Sequence, residues 1–81
     1  MGMIDSVKHV VSQAFSCSMD QLNPDSGFGQ VDGWDSMGHI MLIGELERAF
    51  QLSFTIEETA NLTSISSIAE LLESKGISSG S

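Results

Sequence analysis

The 81-residue sequence is poor in several residue types, and each shortage excludes a class of protein. The single cysteine, Cys17, cannot form an intramolecular disulfide and leaves too few ligands for a structural zinc site. Three basic residues stand against 11 acidic ones, and the net charge of -8 would repel nucleic acid phosphates and anionic lipid headgroups. No apolar run is long enough to span a bilayer, and no signal peptide is recognisable. We therefore expect a cytoplasmic monomer that binds neither nucleic acid nor membranes.

Aromatic residues are also scarce, since Trp34 and four phenylalanines are present without any tyrosine, so an aliphatic core is expected. A chain of this length has room for one domain with a small core. We assign residues 1–76 to that domain and residues 77–81, which are rich in serine and glycine, to a flexible tail. The acidic surface suits partners with basic surfaces, but it is equally that of a soluble protein that simply repels its own copies.

The apolar residues recur at helical spacing in two long segments of the first half. Residues 3–15 repeat them every three or four positions, which predicts an amphipathic helix. A second helix is predicted over residues 36–50, with Asp35 as its N-cap. Its predicted core face comprises Leu42, Ile43, Leu46, Ala49 and Phe50. Its predicted outward face carries Met37, Gly38, His39, Met41, Gly44 and Arg48.

Between these helices, residues 16–35 lose the periodicity and contain Pro24 and several glycines, which predicts a long loop. We expect four apolar loop residues to hold it against the helices: Leu22, Phe28, Val31 and Trp34.

Two further helices are predicted after residue 50. Thr55 and Glu58 have capping-box spacing and begin a short helix over residues 56–61. Thr63 or Ser64 caps a last helix over residues 65–74, which Gly76 ends. The predicted fold is thus all-α, a four-helix bundle with three longer helices, one short helix and a long loop between the first two.

The segment Gly33-Trp34-Asp35-Ser36-Met37 places a serine in the first turn of a helix, directly after a glycine-containing loop. The free backbone amides and the positive end of the helix dipole favour a phosphate on the Ser36 hydroxyl. Helix capping by Asp35 and Ser36 would explain the same two residues without any ligand.

The wider context resembles the acyl carrier protein family. Asp35-Ser36-Met37, followed by Leu42, Leu46-Glu47 and Phe50, is similar to the Asp-Ser-Leu attachment motif and the helix that follows it. The order of the helices agrees over nearly the whole chain. The resemblance implies a discrete, non-catalytic carrier in which a phosphopantetheinyl transferase attaches 4′-phosphopantetheine, taken from coenzyme A, to Ser36 beside Asp35. Acyl groups would then ride as thioesters to loading, condensing or acyl-transferring enzymes of fatty acid, polyketide or related biosynthesis.

The resemblance also implies a surface for partner enzymes and a lining for the acyl chain. The expected partner-binding residues are Met37, Ile40, Met41, Glu45, Glu47, Arg48, Glu57 and Glu58. The expected acyl-chain lining is Leu46, Ile56, Ala60, Leu62, Ile68 and Leu71. Two departures from the family are visible: Met37 replaces the usual leucine, and the second helix shows few outward acids. The second departure indicates either dedicated partners that use apolar contact or neutral drift at exposed positions.

Three alternative functions compete with that of an acyl carrier. A hydrolase is disfavoured because Ser36 is not in a Gly-x-Ser-x-Gly elbow and follows no strand. A peptidyl or aminoacyl carrier usually has a glycine pair where this chain has Trp34-Asp35. A small helical adaptor without a prosthetic group would use Met37 and its apolar neighbours for docking. His9, His39 and Cys17 lack ligand spacing, and the loop aspartates do not match an EF-hand, so no metal site is expected.

Overall fold

The computed structural model describes residues 2–77, which form four α-helices. These are α1 (Met3–Phe15), α2 (Ser36–Phe50), α3 (Ile56–Asn61) and α4 (Ile65–Ser74). A single 3-10 turn, Met19–Gln21, lies in the long connection between α1 and α2. Over this part of the chain there is no strand, and one isolated bridge joins Gly27 to Ser64. The predicted all-α bundle, with its helix boundaries and its long loop, is confirmed.

Side-chain caps begin three of the helices. The Asp35 carboxylate accepts from the Gly38 N–H at the start of α2. Thr55 and Glu58 form the expected reciprocal capping box of α3. At α4 the choice left open by the sequence is resolved in favour of Ser64, whose hydroxyl accepts from the Ser67 N–H. Because each cap satisfies backbone donors at a first turn, the helix starts follow from local sequence.

The core lies where α1 packs against α2 and α4. It is aliphatic apart from Trp34 and comprises Met3, Val7, Val11, Leu22, Trp34, Leu42, Leu46, Leu62, Ile65, Ile68, Ala69 and Leu72. Leu22 and Trp34 fasten the loop as expected, and Val31 is half-buried.

Two expected core positions are not buried. Phe28 is exposed because its ring makes a T-shaped contact with the His39 imidazole, outside the hydrophobic core. Ala49 is exposed in the last turn of α2, beyond the buried positions Leu42 and Leu46. The other predicted core residues of α2, Ile43 and Phe50, are half-buried against the core.

The C-terminal end of α4 is closed by backbone hydrogen bonds. Gly76 has a φ of 80°, and its N–H donates to the Glu73 carbonyl at 3.0 Å. The Ile77 N–H donates to the Leu72 carbonyl at 3.1 Å, which completes a Schellman motif. Ile77 packs against the core, so it does not behave as the tail residue that the sequence predicts. The rest of that tail, residues 78–81, lies outside the described residues.

The helices of residues 2–77 are each too short or too polar to cross a membrane.

The short helix α3 contributes no buried residue, so polar contacts hold it in place. The Glu58 carboxylate is 2.8 Å from the Lys75 ammonium group, which follows α4. Just before α3, the Phe54 N–H donates to the Glu47 carboxylate of α2 at 2.9 Å. The hydrogen bond from Lys75, together with that from the Thr55 N–H, lowers the pKa of Glu58 below its ordinary value of 4.5.

We predict that Glu58→Gln lowers the melting temperature at pH 7, since glutamine keeps the capping box but loses the charge that pairs with Lys75. A carboxyl whose pKa is lowered by folding adds stability above its unfolded pKa, and this stability is lost as the pH falls through the folded pKa. Thermal unfolding of both proteins from pH 7 to pH 3 should therefore show the gap closing below about pH 4.5. Glu57→Gln, in the same turn, is the control at pH 7 and should lower the melting temperature less, because Glu57 makes no ion pair with the described residues. A gap for Glu58→Gln that stays constant at pH 3 would contradict the assignment.

Candidate functional site

Ser36 is the first residue of α2 and is exposed. The Asp35 carboxylate accepts from the Gly38 N–H at 2.9 Å, and the first intrahelical bond runs from the His39 N–H to the Asp35 carbonyl at 2.7 Å. The backbone amides of Ser36 and Met37 precede that bond and lie at the positive end of the helix dipole. A phosphate on the Ser36 hydroxyl would therefore be stabilised by the helix N-terminus.

The loop that leads to Ser36 is held by the indole of Trp34, which is 1% exposed. This ring stacks on Phe15 of α1, with centroids 5.8 Å apart. The Trp34 backbone bonds within the loop in both directions, since its N–H donates to Val31 and its carbonyl accepts from Gly29. Gly29 and Gly33 have φ values of 82° and 92°, a conformation that favours glycine. A buried aromatic two residues before Ser36 thus fixes the path of the backbone into α2.

The other end of this loop is joined to the start of α4. The Phe28 N–H donates to the Thr63 carbonyl, and the Ile65 N–H donates to the Ser26 carbonyl, each at 2.9 Å. A β-carbon on Gly27 would overlap the Thr63 carbonyl oxygen. The loop therefore approaches the α3–α4 connection more closely than any other residue at position 27 would permit.

Gly38 makes the corresponding close approach within the site, because a β-carbon there would overlap the carbonyl of Gly33. The loop backbone thus rests directly on the first turn of α2. This corrects the prediction that Gly38 lies on the outward face of the second helix. Helical periodicity could not reveal the contact, because it depends on a neighbouring segment and not on α2 itself.

His39 is also predicted to lie on the outward face, and it is instead half-buried. Its Nδ1 accepts from the Trp34 indole N–H at 3.0 Å, and its Nε2 lies 2.9 Å from the Thr59 carbonyl of α3. Since a carbonyl only accepts, Nε2 carries the proton and the imidazole is neutral. The ring thereby joins the loop, α2 and α3, which no spacing in the sequence indicates.

The predicted partner-binding residues fall into two groups in the structure. Met37, Ile40 and Met41 are exposed beside Ser36, the first two by 82% and 72%. Among the five charged residues, Glu45 and Arg48 pair with each other at 3.8 Å, and Glu58 pairs with Lys75. The Glu47 carboxylate accepts from the Phe54 N–H. Glu57 is exposed. The surface next to Ser36 is therefore apolar, and part of the acidity around it is committed to internal contacts.

The predicted acyl-chain lining is divided between the interior and the surface. Leu46, Leu62 and Ile68 are fully buried, and Leu71 is half-buried. Ile56 and Ala60 are exposed, the former by 89%, because α3 turns no side chain into the core. These two positions therefore do not line the interior in this structure, and the lining itself stays a prediction.

Across residues 2–77, no three histidine, cysteine, aspartate or glutamate side chains are grouped so that they could hold a metal ion.

The described residues thus form an all-helical domain with the exposed Ser36 at the start of α2. A family model described as the phosphopantetheine attachment site matches residues 5–72, which is most of the chain. The chain belongs to this family, and the protein is a phosphopantetheine carrier. The match includes the loop, Ser36 and all of α2 and α3.

The two glycines of α2 provide a matched pair of substitutions. A β-carbon on Gly44 would meet no neighbouring atom within 4 Å, whereas one on Gly38 would overlap the Gly33 carbonyl. We predict that Gly44→Ala stabilises the protein by about 0.5–1 kcal/mol through helix propensity. Gly38→Ala should destabilise it by about 1–3 kcal/mol, because the loop must move away from α2. Urea unfolding followed by circular dichroism measures both, and equal stabilisation by the two changes would refute the close approach.

Proposed function

We propose that this protein carries acyl intermediates as thioesters on a 4′-phosphopantetheine arm joined to the Ser36 hydroxyl. One observation carries the assignment: Ser36 stands at a helix N-terminus that a different residue caps. Asp35 satisfies the Gly38 N–H, and the Ser36 hydroxyl makes no hydrogen bond with the described residues. The hydroxyl therefore remains available at the position where backbone amides favour a phosphate.

Other serines at helix starts use their hydroxyl groups internally. Ser64 Oγ accepts from the Ser67 N–H at 3.2 Å, and Ser18 Oγ accepts from the Asp20 N–H at 3.2 Å. Ser66, in the first turn of α4, has its hydroxyl 3.3 Å from that of Ser64. The comparison supports Ser36 as the attachment residue because it alone among these four combines exposure with an uncommitted hydroxyl.

The residues around Ser36 fit the proposed group. The phosphate would lie at the amides of Ser36 and Met37, and the exposed side chain would let the arm extend into solvent. When bound, the arm supplies a terminal thiol on which acyl groups are held. We propose coenzyme A as the source of the arm and a phosphopantetheinyl transferase as the enzyme that attaches it.

Recognition by partner enzymes is proposed to involve Met37, Ile40 and Met41, which are exposed close to Ser36 on α2. These side chains offer apolar contact area, and methionine adapts to irregular surfaces. Arg48, on the same helix, is 78% exposed in its side chain and would repel a basic partner. The proposed partners are acyl-loading, condensing or acyl-transferring enzymes of fatty acid, polyketide or related biosynthesis, with docking surfaces that are apolar near the arm.

We predict that incubation with coenzyme A, magnesium and a permissive transferase adds the mass of one arm to the protein. Ser36→Ala should abolish the addition while helical content stays nearly unchanged, because Asp35 rather than Ser36 caps α2. Ser66→Ala is the matched control and should still gain the arm. Intact mass spectrometry reports the result, and modification of the Ser36→Ala protein would disprove the attachment site. No addition to the unaltered protein would favour the adaptor function.

We further predict that affinity for the cognate enzyme falls only mildly with added salt, since apolar contacts are not screened as exposed charges are. Met41→Glu should weaken the cognate complex by placing a charge in an apolar contact, while improving use by generic fatty-acid enzymes. Binding of both proteins is titrated against salt. A steep salt dependence, together with an unaffected or tighter complex for Met41→Glu, would show that the acidic residues supply recognition instead.

A further inference from the structure

We propose that His39 is a positioning residue whose neutral imidazole ties the segment that bears Ser36 to α3. Only the part of this inference that concerns Ser36 rests on the proposed function. The tie consists of two hydrogen bonds from one ring, at 3.0 Å to the Trp34 indole and at 2.9 Å to the Thr59 carbonyl. Trp34 lies two residues before Ser36, and Thr59 lies in the middle of α3.

The ring is held in a fixed orientation for this purpose. The imidazole and the indole of Trp34 are nearly parallel, with centroids 6.4 Å apart and an interplanar angle of 15°. The rings of Phe28 and His39 form a T-shaped pair, with centroids 5.7 Å apart. The indole also stacks on Phe15 of α1. The loop segment thus reaches the core through Trp34 and reaches α3 through His39.

The two bonds require different protonation at the two ring nitrogens. Nδ1 must be bare to accept from the Trp34 N–H, and Nε2 must carry a proton to donate to the Thr59 carbonyl. Protonation of the ring would place a donor at Nδ1 opposite the indole donor. The bond to Thr59 would survive, while the bond to Trp34 would be lost and a buried indole N–H would be left without a partner.

The groups that face the His39 imidazole carry no charge. Its contacts from the loop are Trp34 and Phe28, and its contact from α3 is a backbone carbonyl, none of which ionises in the neutral range. The nearest acids along the chain are committed elsewhere. Asp35 caps Gly38, and Glu58 binds the Thr55 N–H and Lys75.

The tie matters because α3 has little else to hold it. It buries no side chain, and the described contacts that fasten it are the bond from His39, the pair of Glu58 with Lys75 and its packing against α4, together with the bond from the Phe54 N–H to Glu47 just before it. Loss of the His39–Thr59 bond should therefore loosen α3. Loss of the His39–Trp34 bond should instead loosen the entry into α2 and leave Ser36 in its productive orientation for a smaller fraction of the time.

Two amide substitutions separate the two bonds. Asparagine places a carbonyl oxygen near the position of Nδ1, so His39→Asn keeps the acceptor for Trp34 and removes the donor to Thr59. Glutamine places an NH₂ group near the position of Nε2, so His39→Gln keeps the donor to Thr59 and removes the acceptor. His39→Gln therefore imitates the protonated ring in its bonding. His9→Gln is the control, since His9 is exposed on α1 and is the other histidine of the chain.

The first readout is the fluorescence of Trp34, the single tryptophan. At pH 8 we expect the same emission from the unaltered protein, from His9→Gln and from His39→Asn, since each keeps an acceptor for the indole N–H. The emission of His39→Gln should differ from theirs, because its buried indole N–H has lost that acceptor. Circular dichroism verifies that each variant is folded.

The second and third readouts are taken at pH 8. For the transferase reaction, His39→Gln should raise KM about fivefold with kcat within about twofold, the size of one net hydrogen bond. His39→Asn should leave KM nearly unchanged. Amide hydrogen exchange in residues 56–61 should show the reverse, with about fivefold faster exchange in His39→Asn and little change in His39→Gln.

The outcomes distinguish this inference from the proposed function. If the unaltered protein takes up no arm, the attachment at Ser36 fails, while fluorescence and exchange still test the tie. The tie is overturned if the two His39 variants change the emission of Trp34 equally, or if both variants change KM and exchange to the same extent. A general loss of stability would change KM and amide exchange equally in both variants. Two separate hydrogen bonds instead predict that His39→Gln changes mainly KM and that His39→Asn changes mainly exchange.

Discussion

The hydrogen bond from the Gly38 N–H to the Asp35 carboxylate starts α2 one residue before Ser36, and the geometry of the site depends on it. Because aspartate caps the helix, the serine hydroxyl is left free at a position where backbone amides favour negative charge. A serine cap, as at Ser64, would have engaged its own hydroxyl instead. Asp35 thus starts the helix, and the adjacent Ser36 keeps its hydroxyl available for the proposed attachment.

The loop before Ser36 fixes the position of that residue, and contacts with the helices hold the loop in place. Trp34 occupies the interior beside α1, and glycines at positions 27 and 38 let the loop backbone touch the α3–α4 connection and the first turn of α2. The rest of the buried core is made of non-aromatic side chains, and the large aromatic ring of Trp34 joins the loop to it. The segment that bears Ser36 is consequently buried at Trp34 and exposed at Ser36.

The surface around Ser36 shows how a strongly acidic protein can present an apolar surface. The carboxylates of Glu45 and Glu58 pair with cations of the same chain, and that of Glu47 accepts from a backbone N–H. Met37 and Ile40, in contrast, are exposed to solvent. Net charge therefore describes the solubility of the protein better than it describes the contact surface. The polar ring of His39 is also used for an internal contact, since it connects the loop to α3, a helix without a buried residue.

Local sequence determined the helices, their caps and the position of Ser36. Apolar spacing and the capping residues Asp35 and Thr55 act within one or two turns, so their effect can be read without knowledge of the fold. Tertiary structure decided the rest. Helical periodicity predicts that Gly38 and His39 are surface positions, because it considers a helix by itself. Once the loop folds over α2, Gly38 makes a close contact with the loop backbone and His39 is hydrogen-bonded to Trp34. Likewise, Ile56 is exposed whereas Ile77 packs against the core. The two side chains are equally hydrophobic, so the packing between segments decides which of them contacts the core.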